Sequence, residues 1–399
     1  MKYLAAIVVL TLTACSDSSD PQTDVFTTKS SFGEALFNDN NLSFKRSQSC
    51  ATCHNSQHAF IDVRFDAYGK IPAVSIGDDG FSLGDRNAPT LSYASFSPTF
   101  NIGTRRRVSK HNNHRVYEGA LGGQFFDGRE NDLKGQAGSP PINPVEMGMP
   151  DKASVVDRLL ENERYIAAFK VLYGDTIFDD TDKVYAAMAE SISEFQKTKL
   201  FSPFDSKYDR SLRGDYTLST KELTGKSLFF RRFNNCSICH LLHDDVTRKF
   251  TETFSSFEYH NIGIPINTEV RALNSVTEDI GLLSNPGINN AADKGKFKVP
   301  TLRNVAVTEP YMHNGIFRDL KTVVMFYDHF INKGVRLNNP ETGVQWKAPE
   351  NPNTVSSNLL AAGHVMTDNQ IEAMVCFLRT LTDHRYEHLI QEKGLICAD

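Results

Sequence analysis

The chain has 399 residues, of which 40% are hydrophobic and 23% are charged, and its formal net charge is -5. This length suits two or three domains, and the composition is that of a globular protein rather than a disordered or fibrous one. The acidic balance argues against a nucleic-acid-binding protein, which usually has an excess of basic residues. No apolar run approaches the ~18 residues that a membrane-spanning helix needs.

The N-terminus has the pattern of a secretory signal, in which a basic residue precedes a short apolar run. The run ends in Leu12–Cys15 (Leu-Thr-Ala-Cys), which resembles the lipobox of bacterial lipoproteins. We therefore predict that residues 1–15 are a signal peptide with a lipidated Cys15; the alternative is an ordinary secreted protein with an unrelated cysteine. Ser16 is not the aspartate that retains lipoproteins in the inner membrane, so a periplasmic protein on the outer membrane of a Gram-negative bacterium is expected. The polar residues 16–30 are predicted to form a flexible tether.

Two segments, residues 50–54 and 236–240, have the pattern CxxCH. Two thiols at this spacing can form thioethers with the two vinyl groups of one porphyrin, and the following histidine can bind its iron. A redox-active cysteine pair or a shared Cys₄ zinc site would not require a histidine after both pairs. Two covalent haem c groups are therefore predicted. The residues that would hold them are Cys50, Cys53, His54, Cys236, Cys239 and His240.

Each of these motifs follows a related segment, GEALF at residues 33–37 and GKSLF at residues 225–229, which indicates a weak internal repeat. Helical periodicity is clear in four further segments, whereas the alternation typical of strands is scarce. These segments are Ser154–Tyr173, Val184–Leu200, Leu320–Phe330 and Thr367–Leu381. We predict a mostly α fold with two tandem cytochrome c-like domains, residues 31–205 and 206–399, each binding one covalent c-type haem.

Two cysteines, Cys376 and Cys397, lie outside the motifs. In an oxidising compartment they could form a disulfide. Cys376 also lies in an apolar helical segment and could simply be a buried core residue, so both interpretations stay open.

Six further motifs belong to a resemblance that covers roughly residues 30–385. They are Arg86–Thr90, Phe126–Arg129, Gln136–Ala137, Asn143–Met147, Lys298–Asn304 and Pro310–Gly315. This set resembles the bacterial di-haem cytochrome c peroxidase superfamily, which includes MauG-type enzymes. The resemblance implies a peroxide-binding haem in the N-terminal domain and an electron-transfer haem in the C-terminal domain.

The resemblance also implies roles for single residues. Glu146 matches the family's distal glutamate at the peroxide-binding haem, and Gln136 matches its glutamine neighbour. Breaking an O–O bond needs a group that accepts a proton and returns it to the leaving oxygen, which a buried carboxylate can do. Asn87 and the backbone carbonyls of Thr308 and Pro310 match a calcium site between the haems, and neutral oxygen ligands suit Ca²⁺.

Three departures from the family pattern matter. No histidine occurs between His58 and His111, so the family's histidine cap is missing and the first haem is predicted to be open without prior reduction. Tyr327 occupies the position of the second haem's usual methionine, as in MauG-type enzymes; the alternative is that Met325 binds the iron and Tyr327 packs in a helix. Phe126 replaces the usual tryptophan between the haems, so electron transfer through this position is doubtful.

A basic segment before Phe126 is longer than in the short peroxidases. It contains Arg105, Arg106, Arg107, Lys110, His111, His114 and Arg115. It could dock an electron donor or an acidic partner, although such a charge run more often faces only solvent. His260 and His313 are expected to form hydrogen bonds near the second haem or the seam between the domains.

These observations predict a periplasmic di-haem peroxidase that reduces hydrogen peroxide to water with electrons from a small c-type cytochrome or a cupredoxin. The first alternative is a MauG-like enzyme that uses peroxide-derived high-valent haem to oxidise residues of a partner protein. The second is a di-haem electron-transfer protein without chemistry of its own, which would need both haems to be six-coordinate. Contact with a membrane is expected only through the lipid anchor.

Overall fold

The computed structural model describes residues 26–65, 70–107, 116–231, 236–241 and 250–397. The predicted signal peptide with Cys15 and residues 16–25 of the predicted tether lie outside these ranges. Lys110, His111, His114 and Arg115 of the basic segment also lie outside the described residues. No helix in the described ranges has both the length and the apolar character needed to cross a bilayer.

The described residues are mostly helical, with two short antiparallel strand pairs. The helices of the first half are α1 (Lys29–Phe37), α2 (Cys50–Cys53), α3 (Leu133–Gly138), α4 (Lys152–Leu160), α5 (Glu163–Tyr173) and α6 (Thr181–Gln196). Those of the second half are α7 (Lys207–Arg213), α8 (Thr220–Phe229), α9 (Cys236–Cys239), α10 (Thr268–Arg271), α11 (Leu320–His329), α12 (Ser357–Leu360), α13 (Asp368–Arg379) and α14 (Glu387–Glu392). The paired strands are β1 (Asn101–Arg106) with β2 (Val116–Leu121), and β3 (Tyr259–His260) with β4 (Phe297–Lys298).

The internal repeat corresponds to one helix contact that occurs in both halves. Gly33 of α1 lies so close to α6 that a Cβ atom on it would be 1.9 Å from the backbone oxygen of Ser191. Gly225 of α8 lies as close to α13, where a Cβ atom would be 1.8 Å from the backbone oxygen of Ala373. A backbone oxygen inside a helix cannot move aside, so each close contact requires a glycine. Each haem-binding motif thus follows a helix that is fixed against the last long helix of its half.

Two large apolar clusters follow this division. The first joins α1 to α4, α5 and α6, and its buried members lie between Phe32 and Phe201. The second joins α8, α11 and α13, with buried members between Tyr208 and Leu381. A smaller cluster packs Ala59 of the first half against residues of α14 and the neighbouring segments, so the C-terminal end of the chain contacts both halves.

Most of the predicted helices are present, with two differences. Leu320–Phe330 and Thr367–Leu381 correspond to α11 and α13, and Val184–Leu200 to α6, which ends at Gln196. The predicted helix Ser154–Tyr173 is two helices, because Asn162 has extended backbone angles and caps α5 by accepting a hydrogen bond from the Arg164 amide.

The β1–β2 pair was not predicted. The hydrophobic alternation of its two strands is weak, since charged and small residues occupy most of their positions.

The two remaining cysteines form a disulfide. Cys376 of α13 is bonded to Cys397, and Cys376 is also buried, with 2% of its surface exposed. Both interpretations of this residue are therefore compatible with the structure. The bond joins α13 to the C-terminal segment.

A completely buried arginine of the second half forms an ion pair within that half and contacts an aromatic ring of the first half. The Arg303 guanidinium donates to both carboxylate oxygens of Asp209, at 2.5 and 2.9 Å, and to the backbone oxygen of Glu252, at 2.7 and 2.9 Å. It also packs against the rings of Tyr93 and Phe254. Sequence analysis did not identify this pair, because its partners are separated by 94 residues.

We predict that Gly225→Ala lowers the free energy of unfolding by roughly 1–3 kcal/mol, because the added methyl group must push α8 away from the α13 backbone. Urea unfolding of the haem-loaded protein, followed by circular dichroism, measures this change. Gly334→Ala is the matched control, since a Cβ atom there would meet nothing within 4 Å. An equal loss in both variants would contradict the close-contact explanation.

Candidate haem sites

The first CxxCH motif forms α2 and the residue that follows it. The side chains of Ser49 and Thr52 form a capping box at the start of this short helix. The Nδ1 atom of His54 lies 3.0 Å from the backbone oxygen of Phe60. An imidazole that donates a hydrogen bond from Nδ1 has Nε2 available for a metal. Burial lowers the pKa of His54, which favours the neutral, metal-binding form.

The second motif has the same construction. Cys236 and Cys239 lie at the two ends of α9, and the Nδ1 atom of His240 lies 3.0 Å from the backbone oxygen of Phe254. Burial lowers the pKa of His240 to about 4.

The four motif thiols are not joined as disulfides and are partly exposed, which is the state that covalent haem attachment needs. Within the described ranges, no group of three or more His, Cys, Asp or Glu residues is placed to hold a metal ion. The shared Cys₄ zinc alternative therefore has no structural support. The thiols and the oriented histidines fit two haem c groups.

Glu146 lies beside the first cysteine pair. Burial, and to a smaller extent the charge of Glu146, raises the pKa of Cys50 and of Cys53 to about 12. Burial also raises the pKa of Glu146 itself, against the opposing effects of Arg129 and a hydrogen bond from Asn143. The carboxyl group can therefore hold a proton at a higher pH than an exposed glutamate.

Gln136 lies on α3, which begins where the Asp132 side chain accepts a hydrogen bond from the Gly135 amide. The Oε1 atom of Gln136 is buried and has no hydrogen-bond partner among the described residues. A buried polar atom without a partner is costly, so such an atom often marks the position of a ligand. This oxygen can accept a hydrogen bond from a small O–H donor.

Tyr327 of α11 lies beside the second cysteine pair. Its side chain is half-buried; burial of the hydroxyl raises its pKa, and the charges of Cys239 and Cys236 act in the same direction. Met325 precedes Tyr327 by two residues, which is about 200° around an α-helix, so the two side chains leave the helix in nearly opposite directions. Met325 packs against the second apolar cluster instead. The geometry favours Tyr327 over Met325, and its role as an iron ligand stays a prediction.

The three residues predicted to bind calcium are neutral oxygen donors near the seam between the halves. The Asn87 side-chain nitrogen donates to the backbone oxygen of Ala73 at 3.0 Å, which leaves its amide oxygen available to a cation. The Asn87 backbone amide donates to the oxygen of His313, three residues after Pro310. Thr308 lies next to the cis peptide bond between Glu309 and Pro310. This donor set fits Ca²⁺ chemistry, and the ion itself stays a prediction.

Phe126 lies at the same seam, where its backbone oxygen accepts a hydrogen bond of 2.7 Å from the Lys298 amide. The neighbouring Asp127 accepts a hydrogen bond from Arg86, which also binds Asp279 of the second half. Although burial opposes the shift, Arg86 lowers the pKa of Asp279 to about 2. Charged residues of the family motifs thus hold the seam together.

The two histidines of the second half have different surroundings. The His260 Nε2 atom lies 3.0 Å from the carboxylate of Glu258, next to the second motif. His313 stacks on Phe297, with 3.7 Å between ring centroids, and its Nε2 atom is 4.0 Å from the Asp279 carboxylate. His260 has the expected hydrogen bond. The Nε2 atom of His313 has no hydrogen-bond partner among the described residues.

The described part of the basic segment, residues 105–107, differs from both expectations. Arg105 and Arg107 are turned inward and bind the buried Glu258, whereas Arg106 is exposed. Sequence analysis missed Glu258, although the spacing of two residues between the arginines is the spacing that puts strand residues on one face.

Comparisons with known proteins agree with this geometry. A family model described as di-haem cytochrome c peroxidase matches residues 27–217. The methylamine utilization protein MauG of Paracoccus denitrificans is 46% identical over 365 residues, which cover 90% of this chain and 90% of MauG. The cytochrome c peroxidase Ccp of Escherichia coli is 31% identical over 72% of this chain and 50% of its own length.

The fold also matches solved structures. The diheme peroxidase BthA of Burkholderia thailandensis superposes with a TM-score of 0.77 at 27% identity, covering 91% of this chain and 87% of BthA. Members of the matched family are oxidoreductases that use peroxide. The chain belongs to the di-haem cytochrome c peroxidase family that includes MauG.

Proposed function

We propose that the protein is a MauG-like enzyme that reduces hydrogen peroxide and takes the electrons from side chains of a partner protein. The observation that carries this proposal is the position of Tyr327 beside the second cysteine pair, where the peroxidases of the family usually have a methionine. The similarity to MauG of Paracoccus denitrificans over 90% of the chain supports it. Bound haem would supply the iron centres at which peroxide is reduced and which would hold the oxidising equivalents until the partner protein supplies electrons.

In the first site, Glu146 and Gln136 direct the proton transfer that peroxide reduction requires. Reduction of one hydrogen peroxide to two waters consumes two electrons and two protons. The Glu146 carboxylate accepts a proton from the near oxygen and returns it to the leaving oxygen, which then departs as water. The unpartnered Oε1 atom of Gln136 accepts a hydrogen bond from the peroxide and orients it toward Glu146. Two electrons taken from the partner protein complete the balance.

The ligand of the second site sets which partner can be oxidised. A thioether such as that of methionine favours ferrous iron and raises the reduction potential. A phenolate oxygen carries negative charge and therefore favours ferric iron and higher oxidation states. Tyr327 would thus hold the second centre in states that oxidise amino-acid side chains rather than in a ferrous state that donates electrons.

The second candidate is a cytochrome c peroxidase whose electrons come from a small c-type cytochrome or a cupredoxin. Phe126 favours it, because phenylalanine is much harder to oxidise than the usual tryptophan and transmits charge poorly between the two sites. The sequence analysis preferred this candidate, and the family contains enzymes of both kinds.

Four further assignments belong to the same proposal. They are a periplasmic location, a lipid anchor at Cys15, calcium at Asn87, Thr308 and Pro310, and domains 31–205 and 206–399. The division into domains is supported by the separate apolar clusters of the two halves. The calcium site is supported by the neutral oxygens near the seam.

The two candidates differ in the rate at which the fully ferric protein, given peroxide, oxidises a reduced small c-type cytochrome. We expect slow cytochrome oxidation, together with a long-lived change of the haem absorption spectrum after one equivalent of peroxide. Fast catalytic oxidation without prior reduction would contradict the MauG-like proposal and support the peroxidase. No reaction with peroxide would contradict both and leave the electron-transfer protein.

We predict that Glu146→Gln slows the reaction of the ferric protein with peroxide by ~10²-fold or more, because the amide cannot accept and return the proton. Stopped-flow absorbance at increasing peroxide concentrations measures the second-order rate constant. Glu163→Gln, at an exposed position of α5, is the control. The proton-transfer role is lost if the rate constant of Glu146→Gln equals that of the control.

The ligand of the second haem is tested with two conservative variants. Tyr327→Phe removes the hydroxyl, and we expect it to change the electron paramagnetic resonance spectrum of the ferric protein at the second centre. Met325→Leu keeps an apolar side chain of similar size, and we expect it to leave the spectrum unchanged. The reverse result would assign the iron ligand to Met325.

A further inference from the structure

The β1–β2 hairpin belongs to the first half of the chain, but its arginines point to the second haem site. Arg105 and Arg107 alternate with Arg106, so the first two share the inner face of the hairpin. Their side chains are 19% and 11% exposed, whereas Arg106 is an exposed residue. The hairpin also contacts the second half through its backbone, where Leu121 forms a bridge with Glu258.

Glu258 is the centre of this contact, and its carboxylate is completely buried. Arg105 Nη1 donates to Oε1 at 2.9 Å, and Arg107 donates from Nη2 to Oε2 at 2.6 Å and from Nε to both oxygens at 3.0–3.1 Å. His260 Nε2 lies 3.0 Å from Oε2. Both carboxylate oxygens are therefore satisfied, as a buried charge requires. We call these four residues the Glu258 cluster.

The Glu258 cluster is attached directly to the second haem-binding segment. The Nη2 atom of Arg105 donates to the backbone oxygen of Leu241 at 2.9 Å, and Leu241 follows the iron-binding residue His240. His260 contacts the Cys239 thiol. The backbone amide of Ser256 donates to the oxygen of Cys239 at 2.8 Å. The hairpin thus holds Leu241 directly and reaches Cys239 through Glu258 and His260.

Among the described residues, the Glu258 cluster brings two guanidinium groups and one carboxylate next to the second haem-binding segment. Arg107 also lies 5.3 Å above the ring of Tyr117, which adds no formal charge. In a buried position the charge of each arginine is only weakly screened by water. A positive charge close to a haem stabilises the reduced iron, which has one positive charge fewer than the oxidised iron.

We propose that the hairpin is a positioning and tuning element for the second haem. Arg105 and Arg107, anchored by Glu258, fix the segment around His240 and raise the reduction potential of that haem. This inference goes beyond the proposed function, because it requires haem at the second site but is independent of the substrate. It would stand if the enzyme proved to be a peroxidase, and it can fail while the MauG-like proposal stands.

The test is the midpoint potential of the second haem, measured by spectroelectrochemistry on the full-length, haem-loaded protein. Arg107→Gln removes a positive charge, so we expect the potential to fall. Glu258→Gln removes the negative charge at nearly constant shape, so we expect the potential to rise. We expect each shift to change the reduction equilibrium by about tenfold, which is 59 mV for one electron. The first haem should shift less in both variants.

Arg106→Gln is the matched control, because it removes the same charge from the exposed face of the same strand, and it should leave the potential unchanged. Arg107→Lys keeps the charge and should restore most of the potential lost in Arg107→Gln. Shifts of the same sign in Arg107→Gln and Glu258→Gln would indicate general damage and overturn the proposal. Equal potentials in all variants would also overturn it. If the Glu258→Gln protein does not accumulate, the midpoint potentials of Arg107→Gln, Arg107→Lys and Arg106→Gln decide whether the proposal stands.

Discussion

A completely buried ion pair between Arg303 and Asp209 of the second half contacts both Tyr93 of the first half and the segment that orients His240. Its guanidinium binds the Glu252 backbone oxygen and packs on the ring of Phe254, whose own backbone oxygen orients His240. The guanidinium also packs against the ring of Tyr93 in the first half. Burying two charges costs several kcal/mol per ion unless each is fully paired, so this arrangement tolerates few alternatives. The orientation of His240, the predicted iron ligand, is therefore coupled to the packing of the two halves.

The two candidate haem sites have the same construction around the motif cysteines and histidine. They differ in the other side chains that lie near each motif. In both, a short helix carries the thiols, and a backbone oxygen at 3.0 Å orients the histidine through Nδ1. The first site adds a buried carboxyl group and a buried amide oxygen without a partner. The second adds a tyrosine on a helix fixed in its own apolar cluster. The shared construction fits haem attachment, and the unlike groups fit the proposed division of roles, with peroxide chemistry at the first site and electron exchange at the second.

Structural features that depend on residues close together in the chain could be predicted from the sequence. Contacts between residues far apart in the chain could not. The CxxCH spacing is local chemistry, and the periodicity of α11 and α13 reflects one buried face, so both could be predicted. The reason for the repeated glycines could not, because Gly33 and Gly225 contact helices more than 140 residues further along the chain. Likewise, Arg105 and Arg107 have the sequence pattern of a solvent-exposed run of charges. In the structure, both bind Glu258, a buried residue about 150 residues further along the chain. Pairing over such distances leaves no pattern in a single sequence.

The two charged influences proposed at the second haem act in opposite directions. A phenolate from Tyr327 would lower the reduction potential, whereas the guanidinium charges of Arg105 and Arg107 would raise it. A centre that accepts electrons from protein side chains must be strongly oxidising, yet it must still be reduced back to its resting state. Tyrosine ligation alone would stabilise the oxidised states and weaken their oxidising power. A nearby buried positive charge restores part of that power without changing the ligand. This balance gives a physical reason for a hairpin of the first half to be fixed to the haem segment of the second.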